Sequence, residues 1–263
     1  MKIASLTNPR VKQLVRLRQG KSRREAGLSL LDGWREIERA RAATVEFKEF
    51  YFCPEKAAKV IGKDRAEKIF KETPVFEVTP AVYEKIAFGD RREGVVAVIK
   101  PCLRRLTDLE GRRNSCFVIV EHVEKPGNLG AILRTADGAG IDGVIVCDKA
   151  ADVFNPNCIR ASQGTVFAVP VTQTDNKTAL AFLKQERCQV VAALPSGKSL
   201  YTAVDYKKPT AIVLGREDAG LSDFWIKACD VQVKIPMKGA GDSLNVSVAA
   251  ALLVYEVFRQ RGG

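Results

Sequence analysis

The 263-residue chain is 46% hydrophobic and 28% charged, a soluble globular balance with room for one large or two small domains. No run of eighteen apolar residues and no signal-peptide pattern occurs, so no membrane partner is expected and a cytoplasmic location is. Seven scattered cysteines, none in a CxxC pair, and the single histidine His122 argue against a disulfide framework, a metal site and a Ser–His–Asp triad.

The formal net charge of +11 is unevenly placed. Residues 1–113 carry 26 Lys and Arg against 16 Asp and Glu, whereas residues 114–263 carry 16 against 15. Charge concentrated in one segment points to a module for a polyanion beside a near-neutral partner domain.

In chain order, Asn8 is suited to cap a helix whose first turn takes Pro9, with Val11, Leu14, Val15 and Leu17 as its apolar stripe. Arg10, Lys12, Arg16, Arg18, Lys21, Arg23 and Arg24 surround that stripe and run into the following loop. They are candidate RNA-phosphate contacts, because arginine offers a forked donor pair and each neutralised phosphate adds affinity. Leu28–Leu31 reads as a strand, Trp34–Ala42 as a helix, Val45–Phe52 as a strand, residues 54–69 as helical and Val75–Val78 as a strand. Thr79 caps a helix over Pro80–Ala87, and Gly94–Ile99 is a further strand. This alternation makes a small α/β domain at residues 1–105. Residues 101–114 are polar and weakly patterned, and 106–114 is taken as the linker.

A second series fills residues 115–263. Apolar runs at Cys116–Glu121, Gly143–Cys147, Phe167–Val171, Gln189–Leu194, Ala211–Leu214 and Val231–Ile235 alternate with helical stretches. That pattern predicts a mostly parallel sheet covered by helices on both faces.

Three stretches in this second domain carry the chemistry. After Cys116–Glu121 comes EHVEKPGNLGAILRTADGAG, where Asn128 is placed to cap a helix and Arg134 lies about two turns in, suited to a phosphate or a developing oxyanion. Next, IVLGREDAGLSD ends an apolar strand at Gly215 and sets Glu217 and Gly220 in the loop. It is neither a dinucleotide fingerprint nor a Walker loop. Last, IPMKGAGDSLNVS begins with a strand end stopped by Pro236, continues through Gly239 and Gly241, and leads into a helix capped by Asp242 or Ser243. Leu244, Val248, Ala251, Leu252, Tyr255 and Phe258 form that helix's apolar spacing. Because each stretch follows an apolar strand, the three loops are expected at one edge of one sheet, where parallel sheets bind ligands.

With NLGAILRTA, LGREDAG, IPMKGAGDSLNVS and the segment NPNCIRASQG (Asn155–Gly164), the chain resembles the SpoU (TrmH-like) RNA ribose 2′-O-methyltransferases of the SPOUT superfamily over about residues 115–260. SLTNPRVKQL and the α/β pattern behind it are similar to the substrate-binding domain of ribosomal-RNA members, including the thiostrepton-resistance-type enzymes, although Asp32 stands where many relatives have glutamate. The resemblance implies a trefoil-knotted C-terminal α/β domain, S-adenosylmethionine as cofactor, and a homodimer whose active site draws on both subunits. It implies methylation of a ribose 2′-hydroxyl, most simply in ribosomal RNA. By position, it assigns the cofactor to Leu194, Leu214, Gly215, Gly220, Ile235, Met237 and Leu244, with Pro195 where relatives often have glycine. It gives Arg134 the task of activating the hydroxyl, as a base or as a cation beside the alkoxide, with Asn128, Glu217, Ser243 and Asn245 orienting the site. Arg160 is expected to reach RNA from either subunit. The competing readings are a transfer-RNA or base-directed relative and a catalytically silent RNA-binding protein.

Overall fold

A computed structural model describes residues 2–263 apart from Lys59, Asp90, Arg91, Arg112, Arg113, Lys149 and Ala150, and apart from the Lys63 side chain. The sequence-predicted linker therefore lies partly outside the described residues. The chain forms two compact units, residues up to Cys102 together with Asp152–Ala168, and Leu103–Ala151 together with Val169–Gly263.

The first unit carries β1 (Lys2–Ile3), β2 (Ser29–Asp32), β3 (Glu46–Phe52), β4 (Val75–Val78) and β5 (Val95–Lys100) in the order β1-β4-β3-β5-β2. β4 pairs in parallel with β1 and β3, whereas β5 runs antiparallel to β3 and β2. Asn8 caps helix Pro9–Arg16 by accepting from the Arg10 N–H, and Thr79 accepts from the Val82 N–H, both as expected. Val11, Leu14 and Leu17 bury their side chains against Tyr51, Val82 and Tyr83 in one apolar cluster. The basic segment after Arg16 is a second helix, Gly20–Ala26, ended by Gly27 in the left-handed region at φ 62°, where the sequence suggested a loop. The predicted helix over residues 54–69 is two pieces, Pro54–Ala57 and Lys63–Phe70, because Gly62 is extended between them.

Asp152–Ala168 packs in this unit, whereas the sequence pattern predicts residues 115–263 as one domain. Helix Pro156–Ala161 lies on β2, and the Ser29 hydroxyl donates to the Phe154 carbonyl at 2.6 Å. Arg23 is 4% exposed and bonds Asp152 through Nη2 and Nε at 2.7 and 2.8 Å, with its third nitrogen, Nη1, on the carbonyls of Leu17 and Arg18. The apolar run Phe167–Val171 is split by this arrangement: Thr165–Phe167 is a single tight turn, and the strand starts only after Pro170, which has no N–H to give.

The second unit carries β6 (Cys116–Glu121), β7 (Gly143–Cys147), β8 (Val171–Thr174), β9 (Gln189–Ala193), β10 (Ser199–Leu200), β11 (Thr210–Leu214) and β12 (Val231–Lys234). Their order is β10-β12-β9-β11-β6-β7-β8, and every pairing is parallel. Every residue of β6, β7 and β11 is buried, as a parallel sheet covered on both faces requires. Phe117, Ile119, Phe182, Val213 and Trp225 share one core, and helix Val246–Gln260 packs on helix Pro126–Gly138.

That last helix buries a different face from the expected one. Val246, Ala250, Leu253, Val254 and Val257 are inside, whereas Val248, Leu252, Tyr255 and Phe258 remain 36–48% exposed. Leu244 precedes the helix, and the cap is Asn245, whose side chain accepts from the Ser247 N–H, in place of Asp242 or Ser243.

Arg23→Ala removes a cation from a buried position and leaves Asp152 and two carbonyls without it. A loss of roughly 2–4 kcal/mol in unfolding free energy is expected. Urea denaturation of wild type and variant measures it, and an unchanged midpoint would show that the contact contributes nothing.

Candidate active site

Because β12, β9, β11 and β6 are consecutive neighbours and run in one direction, the loops that follow them leave from the same edge of the sheet. Leu194–Gly197 follows β9, Gly215–Leu221 follows β11, and Ile235–Asn245 follows β12. Together they enclose a cleft of about 610 Å³. All seven residues expected at the cofactor, Leu194, Leu214, Gly215, Gly220, Ile235, Met237 and Leu244, line it, and so do Pro195 and Ser243.

The glycines explain the shape of this wall. Arg216 and Gly220 exchange two backbone hydrogen bonds at 3.0 Å, closing a turn with Glu217 near its tip. A Cβ on Gly215 would meet the Gly220 carbonyl oxygen at 2.3 Å, so only glycine lets the turn fold back on its own stem. Gly220 itself has φ 69°. Arg216 reinforces the turn by a forked pair to Asp218 at 2.8 and 2.9 Å.

Glu217 is the meeting point of three distant segments. Its Oε1 accepts from Asn128 Nδ2 at 2.7 Å and from Asn245 Nδ2 at 2.5 Å, and its Oε2 accepts from the Lys125 ammonium. Asn245 Nδ2 also lies 3.3 Å from Asn128 Oδ1. Asn245 Oδ1 takes the Ser247 N–H and hydroxyl, which fixes the amide orientation that presents Nδ2 to the carboxylate. The Lys125 contact is the main cause that holds the Glu217 carboxyl below its ordinary range, with the Asn128 hydrogen bond acting the same way and partial desolvation opposing both. Lys125 is correspondingly raised. A second, smaller cleft of about 280 Å³ adjoins on the other side of this cluster, lined by His122, Val123, Lys125, Asn128 and Glu217.

Asn128 does not cap its helix. The helix begins at Pro126 with Lys125 as the unbonded cap, so Asn128 stands in the first turn with its amide free for Glu217. Arg134 lies on the exposed side of the same helix and lines neither cleft. Among the described residues it has no hydrogen-bond or ion-pair partner. Gly138, four residues on, is on the same helix face, and a Cβ there would sit 3.1 Å from the Tyr255 hydroxyl. Arg134 thus shares a face with the exposed apolar stripe of the last helix.

The other basic residues of the sequence reading belong to the first unit. Arg160 donates to the Phe88 carbonyl at 2.6 Å, and its guanidinium occupies the space beside Gly89 that a Cβ would fill. Of the seven N-terminal cations, three are engaged within the fold. Arg10 pairs with Glu49 and lies 4.3 Å from the centre of the Phe76 ring, Arg18 donates to the carbonyls of Lys85 and Ala87 at 2.7 and 2.6 Å, and Arg23 is buried on Asp152. Arg18 ends a helix and Arg23 joins two segments, so neither is a spare surface charge, as the run of basic letters suggested. Lys12, Arg16, Lys21 and Arg24 are exposed, with a loose Lys21–Glu25 pair at 3.9 Å as their one ion pair among the described residues.

Lys125 and Ser247 belong to the cluster and were not singled out from sequence. Lys125 stands three residues before Asn128, and within the turn the Arg216 guanidinium is committed to Asp218. Among the described residues, Glu121, His122 and Asp148 bring potential metal-ligating atoms within 4.8 Å of one another. Both oxygens of Glu121 already accept hydrogen bonds from Asn176 and Ser222, so the group carries no argument for a metal.

Lys125→Ala is expected to raise the Glu217 pKa toward the ordinary glutamate range, because the largest lowering contact is removed. The sign follows from the depression: the cluster is fully formed above the ordinary carboxyl range and weakens as pH falls through the lowered folded value. Carboxylate-carbon NMR titration of wild type and variant reads this, and coincident curves would refute the Lys125 contribution.

Residues 115–255 match the family model described as SpoU rRNA Methylase family, and residues 8–97 match the MRM3-like substrate binding domain. The 23S rRNA (uridine(2479)-2′-O)-methyltransferase of Streptomyces viridochromogenes is 34% identical across 66% of this chain and 63% of that protein. A crystal structure of an RNA 2′-O ribose methyltransferase is 36% identical, covers 99% of both chains and superposes with a TM-score of 0.86. An AdoMet-bound rRNA methyltransferase from Sinorhizobium meliloti is 30% identical over 98% of this chain and 97% of its own, with a TM-score of 0.88. With glycine-turned loops gathered at one edge of a parallel sheet, Asn128, Glu217 and Asn245 joined there, and more than half of its length matched by the family model, the chain belongs to the SpoU rRNA methylase family.

Proposed function

We propose that the protein transfers a methyl group from S-adenosylmethionine to a ribose 2′-hydroxyl of ribosomal RNA. The observation that carries this reading is the convergence of Asn128, Glu217 and Asn245 beside a glycine-walled cleft at the carboxyl edge of a parallel sheet. The names of the similar proteins, a 23S rRNA 2′-O-methyltransferase and an AdoMet-bound rRNA methyltransferase, support the substrate and the cofactor.

The cleft fits the cofactor. Its volume lies within the range of ordinary ligand sites, roughly 300–1,000 Å³. Leu194, Leu214, Ile235 and Leu244 give the cleft apolar walls and Ser196, Asp242 and Ser243 give it polar groups, a lining that would hold a molecule with both an apolar ring and polar ends. When bound, S-adenosylmethionine supplies an electrophilic methyl carbon on a sulfonium centre. Methyl transfer of this kind depends on positioning and charge complementarity. Glu217, held ionised by Lys125 and two amides, is the fixed acceptor that sets the directions of Asn128 and Asn245. As the new O–CH3 bond forms the methyl–sulfur bond would break, the hydroxyl proton passes to solvent water, and a nearby cation stabilises the oxygen while it carries negative charge. Guanidinium groups keep their proton in proteins, so Arg134 serves as that cation and not as the base.

Arg134 reaches a substrate in this reading because the protein is a homodimer. Val248, Leu252, Tyr255 and Phe258 form an apolar stripe too exposed for a monomer's helix, and Arg134 lies on the same side. The site then draws on both subunits. Lys12, Arg16, Lys21 and Arg24 are the RNA-phosphate contacts of the first unit, and Arg10, Arg18, Arg23 and Arg160 are committed to hydrogen bonds within that unit.

Purified protein incubated with ribosomal RNA and methyl-labelled S-adenosylmethionine tests the reaction. A 2′-O-methyl group blocks alkaline cleavage at its own phosphodiester, so label in an alkali-resistant dinucleotide is expected. Label on a base, or only in transfer RNA, would replace the present reading. Arg134→Ala is expected to lower kcat at least about a hundredfold, while calorimetry shows cofactor affinity within a few-fold of wild type. Equal losses of both would move Arg134 into the cofactor site. Leu252→Lys with Tyr255→Lys is expected to give monomers by sedimentation and no turnover, whereas an active monomer would refute the shared site. Replacing Lys12, Arg16, Lys21 and Arg24 by Ala is expected to shallow the log–log salt dependence of RNA binding by roughly 0.7–0.9 per lost contact. An unchanged slope would place the RNA on another surface.

A further inference from the structure

Glu121, the last residue of β6, is 1% exposed and carries a carboxylate into the second unit's interior. Its position there is matched by donors. Ser222 gives its N–H to Oε2 at 2.8 Å and its hydroxyl to Oε1 at 2.6 Å, and Asn176 Nδ2 gives a third bond to Oε1 at 2.6 Å. The Asn176 amide cannot turn round, because its oxygen takes the buried indole N–H of Trp225 at 2.7 Å. All three hydrogen-bonding groups are donors, and only a carboxylate, which accepts at both oxygens, satisfies all three.

Ser222 stands at the N-cap of helix Asp223–Ala228, yet its side chain does not cap that helix. A serine at that position ordinarily accepts from the first turn's N–H groups. Here the hydroxyl points to Glu121 instead, which requires another use for it.

The use follows from what lies before Ser222. The turn from Arg216 to Gly220 is closed on itself by two backbone bonds and the Arg216–Asp218 pair. As a unit it is attached at two places, the stem at Gly215 and the exit at Leu221–Ser222. β6 pairs with β11 in parallel with Val120 beside Leu214, so Glu121 comes at the level of Gly215, directly next to the turn's stem. From there it grips the exit. Glu121 also begins the segment that carries Lys125 and Asn128, the partners of Glu217. One buried carboxylate thus sets the turn that bears Glu217 relative to the loop that bears its partners.

We propose that Glu121 is a positioning residue for cofactor binding and methyl transfer, acting through Ser222 on the Gly215–Leu221 wall of the cleft. The proposal rests on the reading that this cleft takes S-adenosylmethionine. It assigns no contact between Glu121 and substrate or cofactor.

The test uses the full-length protein with Ser222→Ala, Ser222→Thr and Glu121→Gln. Calorimetry gives the affinity for S-adenosylmethionine, ribosomal-RNA methylation gives kcat and KM, and thermal unfolding is followed in parallel. Ser222→Ala is expected to weaken cofactor binding about tenfold and to lower kcat, with KM for RNA unchanged, since one charge-assisted hydrogen bond is lost. Ser222→Thr keeps the hydroxyl and is expected to restore both. Glu121→Gln turns one acceptor into a donor facing a donor, and a larger loss is expected. Should that variant fail to fold, the serine pair still decides. The proposal is overturned if Ser222→Ala lowers only the melting temperature and leaves affinity and kcat within twofold of wild type, or if Ser222→Thr is as impaired as Ser222→Ala. Wild-type protein that binds no S-adenosylmethionine would instead defeat the cofactor reading itself.

Discussion

Parallel alignment of β12, β9, β11 and β6 is the constraint on which the site depends. Parallel neighbours deliver their carboxyl ends to one edge, so loops separated by tens of residues in the chain begin side by side. The consequence is visible at Glu217, whose carboxylate bonds Asn128, 89 residues away, and Asn245, 28 residues away. Neither contact would survive a change of strand order, since each donor is supplied by the loop of a different strand.

Glycine and buried polarity then convert proximity into geometry. Gly215 lets the turn after β11 approach its own stem more closely than any side chain allows. Glu121 and Asn176 anchor the turn's exit through bonds that all run from donor to acceptor without conflict. A buried network of this kind specifies one arrangement when complete and is destabilising when a partner is missing. It sits beside an exposed cluster of charge, Lys125 and Glu217, that remains open to solvent and substrate. Rigid support beneath an accessible polar group is a sound basis for positioning a small reactive group.

The first unit shows the opposite lesson about charge. A run of basic residues in the sequence suggests one continuous phosphate-binding face. In the fold, Arg10 is committed to Glu49, Arg18 to two carbonyls at a helix end, and Arg23 to Asp152. Arginine serves here as a donor with a long reach inside the fold's own hydrogen-bonding, whereas Lys12, Arg16, Lys21 and Arg24 are exposed without such a commitment to a distant segment. Asp152–Ala168 joins this unit through the same chemistry, with Arg23 and Ser29 as its partners.

Much of the protein was determined by the sequence alone. Short β-rich apolar runs separated by helices fixed a parallel sheet in the second unit, Asn8 and Thr79 fixed two helix starts, and the glycine stretches at Gly215 and Gly220 marked the cleft wall. Those features are local, and periodicity and turn chemistry are local signals. The tertiary structure decided the rest. Asn128 was freed from capping because Pro126 starts its helix two residues earlier, and Asn245 took the cap that Asp242 or Ser243 was expected to provide. The last helix buried Leu253, Val254 and Val257 and left Leu252 and Tyr255 outside, since an almost wholly apolar helix gives no sequence cue to which face meets the sheet. Lys125 found Glu217, and Arg23 found Asp152, across 92 and 129 residues. Such partners depend on strand order and chain path, which no residue records by itself.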